Sequence, residues 1–338
     1  MKIIIEVGHP ANVHYFKHFY WAMKSKGAQI KIIVRDIDVA IDLLNSYGID
    51  YYNRGRGYKS FIGKIYYLFL TNFRILFLSL KFKPDFYISM SSPYPFLASK
   101  FVKMKSIVFD DTEVGKFEQM IYKKYADVIL TPKSFYKNLG VKHQKFNAFM
   151  ELFYLHPNYF KPDETVLSYL NLKIGEKFIF IRMVAWGATH DYNQSGIPEK
   201  KLDQLIDSCE KKGLKIILST EEKLPTKYDS YAVRFPPNKI HDILYYSQLY
   251  IGEGATTASE SVMLGTPAIY INSINAGTLK DQENSGLLFS FRKFENEIFD
   301  LIDKILDENS NMWREKRDEF IEDKEDMTSY LINLIEKK

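Results

Sequence analysis

Apolar residues in this chain fall into short runs separated by longer stretches in which they recur every three or four positions. The runs at 3–7, 29–34 and 86–90 read as strands and the stretches at 13–26 and 39–47 as helices, because each period gathers side chains on one face of its element. Gly27 and Gly48 close those helices. Runs at 106–109 and 127–130 flank a helix at 114–124. Between Tyr154 and Asp163, Pro157 and Pro162 stand among polar residues and mark a join. A second series follows, with strands at 178–182, 215–219, 231–234, 249–252 and 268–271, helices at 199–212, 240–247 and 257–264, and a charged helical tail over 294–338. Short strands alternating with helices build parallel βαβ units. The predicted fold is α/β, with two Rossmann-like doubly wound domains at 1–158 and 163–315 and a C-terminal helix at 316–338 placed to pack back on the first domain.

Length agrees with this division, since 338 residues exceed one ordinary α/β core and suit two. With 46% apolar residues and no low-complexity tract, the whole chain is expected to fold. One cysteine, Cys209, supplies neither a disulfide framework nor a cysteine metal site. The first apolar run is too short for the core of a secretion signal, so a cytoplasmic protein is expected. A net charge of +4 is too small for a dedicated nucleic-acid binder. Local charge is more informative at 58–83, YKSFIGKIYYLFLTNFRILFLSLKFK, where Asn72 and Arg74 divide an apolar run too short to span a membrane. Two readings stand: a largely buried crossover helix with a basic rim, or a face resting peripherally on the anionic inner surface of the cell membrane.

Ligands of open parallel sheets bind beyond the carboxyl ends of the strands, which singles out five loops: 8–14, 89–95, 110–115, 182–196 and 252–260. The last, GEGATTASE, carries the strongest signal. Gly252 and Gly254 let backbone amides approach a ligand, Ala255 is small, and Thr256 and Thr257 supply hydroxyls where a helix begins with unpaired N–H groups, a setting suited to a pyrophosphate. Glu260, one turn on, is at a distance to accept from a ribose diol; a plain glycine turn with a capped helix is the competing reading.

The stretch GATTASESVMLGTPAIY resembles the donor-binding segment of GT-B glycosyltransferases, such as the peptidoglycan enzyme that adds N-acetylglucosamine to lipid I, where the Glu binds ribose; this implies the same role for Glu260. Over nearly its full length, through GHPANVHYFK, DDTE, RMVAWGATHDYNQSG, LSTEEKLP and GEGATTASESVMLGTPAIY, the chain resembles the domain-of-unknown-function 354 family, grouped with GT-B proteins. The resemblance implies sheets facing a central cleft. IVFDDTEVGKFEQMIYKKYADVILTP is similar in layout to the hydrolysing UDP-N-acetylglucosamine 2-epimerases, with Glu113 matching their first glutamate and Glu118 a later one. Asp111 stands where those enzymes have His, and GHPANVH lacks their Gly-Thr-Arg-Pro-Glu.

Catalytic candidates are His9 and His14 at the first strand-to-helix turn, as bases with pKa near neutrality or as helix caps, and Asp111 and Glu113, which with Asp110 form an acidic loop after a buried strand. Arg182 and His190, with Trp186 nearby, are placed to neutralise a departing diphosphate, or else Arg182 pairs with Asp191; Gln282 falls where such folds read the sugar, and His241 reads as a helix cap. The expectation is a GT-B glycosyltransferase that binds a nucleotide-sugar donor and a glycan or lipid-linked acceptor in surface polysaccharide synthesis. It needs no cofactor and no metal. A hydrolysing epimerase and a non-catalytic nucleotide-sugar binder are the alternatives.

Overall fold

The computed structural model describes residues 1–184, 197–220, 225–273 and 276–337. Two parallel sheets organise two units.

Unit 1 comprises Met1–Tyr159, Ala276–Thr278 and Lys324–Lys338. Along its chain run β1 (Lys2–Val7), α1 (Pro10–Ser25), β2 (Gln29–Val34), α2 (Asp38–Ser46), β3 (Tyr51–Asn53), α3 (Phe61–Phe82), β4 (Phe86–Met90), α4 (Ala98–Phe101), β5 (Lys105–Phe109), α5 (Lys116–Tyr125), β6 (Val128–Pro132) and β7 (His143–Phe146). The strands lie in the order β3-β2-β1-β4-β5-β6-β7, all parallel. β1 is buried along nearly its whole length, as a central strand covered on both faces must be. Phe16, Phe109 and Phe153 interlock edge-on and tilted beside it, with ring centroids 5.4–6.1 Å apart.

Unit 2 comprises Phe160–Asn275 and Leu279–Asp323. It holds α6 (Val166–Tyr169), β8 (Phe178–Met183), α7 (Glu199–Lys211), β9 (Lys215–Thr220), α8 (Ile240–Tyr246), β10 (Leu249–Gly252), α9 (Ala255–Met263), β11 (Ala268–Ile271), all but the first two residues of α10 (Gly277–Asn284), β12 (Leu288–Phe291), α11 (Glu297–Asp307) and α12 (Ser310–Ile321). Its strand order is β12-β11-β10-β8-β9, again parallel throughout. The strand expected at 231–234 is reduced to one bridge, Leu218 to Ala232. Burial pushes the Cys209 thiol of α7 up to about 12, which leaves it an inert part of the core.

The tail expected from residue 316 divides. α12 stays with unit 2, whereas α13 (Met327–Glu336) belongs to unit 1 and packs on α1. Asp326 starts α13 by accepting from the Ser329 amide at 3.0 Å, and its other oxygen accepts from Asn158 at 3.0 Å and the Tyr159 hydroxyl at 2.8 Å. One carboxylate thus caps a helix and docks it.

Of the two readings of α3, the largely buried one fails. Its 22 residues form one unbroken helix with Ile75 and Phe82 against the sheet, while Phe61, Ile62, Phe69 and Phe77 are each at least 60% exposed.

Candidate functional site

A doubly wound sheet opens a crevice where its strand order reverses. In unit 1 that point lies between β1 and β4. β1 brings a carboxylate there: Glu6 is buried, accepts from the hydroxyls of Tyr87 and Ser92, both at 2.7 Å, and pairs with buried Arg54 at 3.2 Å. The Arg54 guanidinium lies 4.1 Å from the centroid of the Tyr94 ring. Removing one charge of such a pair strands the other, at a cost of about 3–5 kcal/mol. Sequence reasoning missed this network, although a glutamate inside the apolar run KIIIEV was its visible trace. The network ties β1 to the loop after β4. In that loop Ser91 adopts φ +42°, a left-handed conformation that costs a non-glycine residue about 1–2 kcal/mol.

The two histidines part company. His9 is the exposed N-cap of α1, its Nδ1 accepting from the Ala11 amide at 3.2 Å, while Asn12 Oδ1 accepts from the Gly8 and His9 amides, each at 3.1 Å. His14, expected to face the ligand, is instead buried within unit 1, stacked on Tyr154 at 5.3 Å with Nδ1 3.3 Å from the Tyr47 hydroxyl. One helical turn beyond the loop is enough to carry it into the packing of α1.

The acidic loop after β5 is well defined. Asp110 is buried and accepts from the Tyr122 hydroxyl at 2.5 Å, the Thr112 amide at 3.1 Å and Gln119 at 3.3 Å. Asp111 is partly exposed. Desolvation first, then the negative charge of Asp110, raises its carboxyl from 3.8 to about 6, and a 3.0 Å hydrogen bond from the Thr112 hydroxyl partly opposes the shift. Glu113 is 1% exposed; its Oε1 accepts from the Tyr136 amide at 3.3 Å, and among the described residues its Oε2 has no partner. A buried carboxylate oxygen left unpaired marks a place where a ligand group can complete the bonding.

In unit 2 the reversal lies between β8 and β10, which pair with Arg182 beside Gly252. Gly252 is the last residue of β10. A Cβ there would meet the Tyr250 hydroxyl at 2.2 Å and the Arg182 carbonyl at 2.7 Å, so packing alone demands glycine. Gly254 differs: its nearest neighbours would be 3.6 Å from a Cβ, an ordinary contact. It is the N-cap of α9 and no side chain caps that helix, so the amides of Ala255, Thr256 and Thr257 open the helix without intrahelical partners. Gly254, Ala255 and Thr256 are half-buried, and Thr257 is 8% exposed. Between the two glycines, Glu253 is buried and accepts from the Val184 amide at 2.9 Å and the Ile197 amide at 2.7 Å. The loop was singled out from sequence, but this residue was not.

Glu260 is buried and bonded to His241 Nε2 at 3.0 Å. His241 is therefore an internal partner of the candidate ribose-binding residue and not a cap. Arg182 is half-buried and donates to the Ser219 hydroxyl at 3.1 Å. Gln282, on α10, is fully buried, and among the described residues neither of its amide atoms has a partner. His190, with Trp186 and Asp191, lies outside the described residues. Among the described residues no group of three His, Cys, Asp or Glu is arranged to hold a metal ion.

The profile of a family described as Protein of unknown function (DUF354) matches residues 1–278. The chain belongs to the DUF354 family. No curated protein sequence matches it. Among solved structures, the DUF354 chain is similar to the UDP-GlcNAc 2-epimerase of Neisseria meningitidis bound to UDP-GlcNAc, at TM-score 0.69 and 10% identity over 100% of both chains. It is also similar to a spinosyn forosaminyltransferase, at TM-score 0.67 and 11% identity over 99% of both chains. A third similarity is to the Methanocaldococcus jannaschii UDP-GlcNAc 2-epimerase in complex with UDP-GlcNAc and UDP, at TM-score 0.65 and 13% identity over 92% of this chain and 94% of that one. At such identities the likeness is one of fold: two Rossmann-like domains of the GT-B class, shared by glycosyltransferases and epimerases.

Proposed function

We propose that this protein transfers a sugar from a nucleoside-diphosphate donor to a hydroxyl of a glycan or lipid-linked acceptor, in the cytoplasm and in the service of surface polysaccharide synthesis. One observation carries the reading: at the strand reversal of unit 2, α9 begins half-exposed and without a side-chain cap, behind a glycine whose surroundings leave room for a methyl group. Three amides without intrahelical partners and the positive end of the helix dipole suit a diphosphate. In this reading Gly254, Ala255, Thr256 and Thr257 hold the pyrophosphate, and Arg182 with the helix end balances the charge that grows on the leaving nucleotide, so that no metal is required. Glu260, oriented by His241, takes the ribose, and the unpaired amide of Gln282 takes sugar hydroxyls. Asp111, with its carboxyl raised to about 6, is the general base, and His9 is the other candidate.

A second reading, hydrolytic epimerisation, is favoured by Glu113, whose buried, half-unpaired carboxylate lies in the loop that resembles the epimerases. Two solved structures of this fold hold UDP-GlcNAc, which makes it the first donor to try. Incubation with UDP-GlcNAc alone should release little UDP, and an added acceptor should raise the rate. UDP with a free epimerised sugar, formed without acceptor, would establish the second reading. A ligand bound only by the folded state stabilises the protein by about 2.7 kcal/mol at a concentration of 100 Kd. If no nucleoside diphosphate or its sugar raises the melting temperature, the donor site is wrong.

A further inference from the structure

α3 turns Thr71, Asn72 and Ser79 inward while most of its large apolar residues face outward. The inward face holds Tyr67, Thr71, Asn72, Ile75, Ser79 and Phe82, all buried. Asn72 Oδ1 accepts from the Leu97 amide at 3.1 Å, its Nδ2 donates to the Leu68 carbonyl at 2.9 Å, and Arg74 donates to the Arg54 carbonyl. The outward face holds Ile62, Tyr66, Phe69, Phe73, Phe77 and Leu80, each 46–79% exposed. At 3.6 residues per turn these six fall within an arc of about 80° and a length of about 27 Å. Exposed apolar residues are normally scattered singly; a contiguous stripe signals a surface that is covered in use.

Charge identifies what covers it. From residue 51 to residue 84 the chain has no acidic side chain and seven basic ones. Arg54 is committed to Glu6, Arg56 to Asp38 and Arg74 to a backbone carbonyl. The other four, Lys59 and Lys64 near one end of α3 and Lys81 and Lys83 near the other, are exposed, and no described carboxylate pairs with them. A second copy of the chain laid on this stripe, parallel or antiparallel, would set lysine against lysine at both ends, a like-charge arrangement that opposes association.

From this juxtaposition of an aromatic stripe with lysines at both ends, we propose that α3 rests on an anionic lipid bilayer, lying in its surface plane. The rings reach the acyl boundary and the ammonium groups meet lipid phosphates. α3 has the length and hydropathy of a crossing helix, but crossing would strip Asn72 and Arg74 of the partners they hold within unit 1. The inference is independent of the donor-site assignment.

The test is flotation of the full chain with vesicles of phosphatidylcholine alone and with about three-tenths phosphatidylglycerol. Enrichment on the anionic vesicles should exceed that on neutral ones by about ten-fold. Raising salt to about 0.5 M should reduce it several-fold, as should Lys59→Gln/Lys64→Gln/Lys81→Gln/Lys83→Gln. Phe69→Glu/Phe73→Glu should abolish it, with Phe69→Ser/Phe73→Ser as a milder variant should the first fail to fold. All six positions are exposed, so melting temperature and nucleotide protection should not change. No enrichment on anionic vesicles, or equal enrichment with the phenylalanine variants, overturns the proposal. So does a wild-type dimer that these variants dissociate, because the stripe is then a protein interface.

Discussion

Replacing Asp111 by asparagine isolates the electrostatics of the acidic loop. The carboxyl is raised from 3.8 to about 6, so the folded chain holds this proton more tightly than the unfolded chain. The sign follows by linkage. Below pH 4 both states are protonated and the site costs nothing; between about pH 4 and 6 the cost of the charged form grows, and above pH 6 it is fully present. Two pKa units correspond to about 3 kcal/mol as an upper bound. Asp111 is partly open to water, so about 1–3 kcal/mol is expected. The asparagine oxygen can still accept from Thr112, which leaves the loop geometry intact. Urea melts from pH 4 to 8 should show the variant more stable than wild type above pH 6, by a margin that vanishes near pH 4. Identical profiles, or a less stable variant at pH 7.5, would refute the reasoning. If Asp111 is the base, wild-type turnover rises as pH passes about 6, and the variant loses about 10²–10⁴-fold.

Two further expectations concern unit 2. Gly254→Ala should leave stability within about 1 kcal/mol, since a Cβ there meets only ordinary contacts, while weakening nucleotide binding measured by calorimetry; Gly252→Ala should instead destabilise by about 1–3 kcal/mol through its collision with Tyr250 and Arg182. Gln282→Leu removes a buried amide that the protein leaves unpaired, and should hold or raise the melting temperature while lowering affinity for the nucleotide-sugar. A fall in stability without loss of affinity would show that the amide serves the fold.

The alternation of strands and helices was legible because parallel strands, buried on both faces, leave near-continuous apolar runs. Short edge strands such as β3 and β7 left no such run and were not foreseen: β7, His143–Phe146, has one buried residue out of four. Glycine meant different things two positions apart. Gly252 answers to a tyrosine ring and a carbonyl brought close by the sheet, Gly254 to neither, and no local pattern separates these. The two readings of α3 stayed open for a similar reason, since hydropathy records how apolar a helix is and not which of its faces the sheet takes. Asn72, which seemed to interrupt an apolar run, is buried and accepts from the Leu97 amide. His14 follows a promising turn by one helical turn in sequence, yet its ring is buried against Tyr154.

Glu253 joins the backbone amides of Val184 and Ile197 through one carboxylate. One buried side chain thus ties the end of β8 and the approach to α7 to the turn that opens α9. A change at this single position would therefore reach three elements at once, which makes it the pin on which the mouth of that sheet depends.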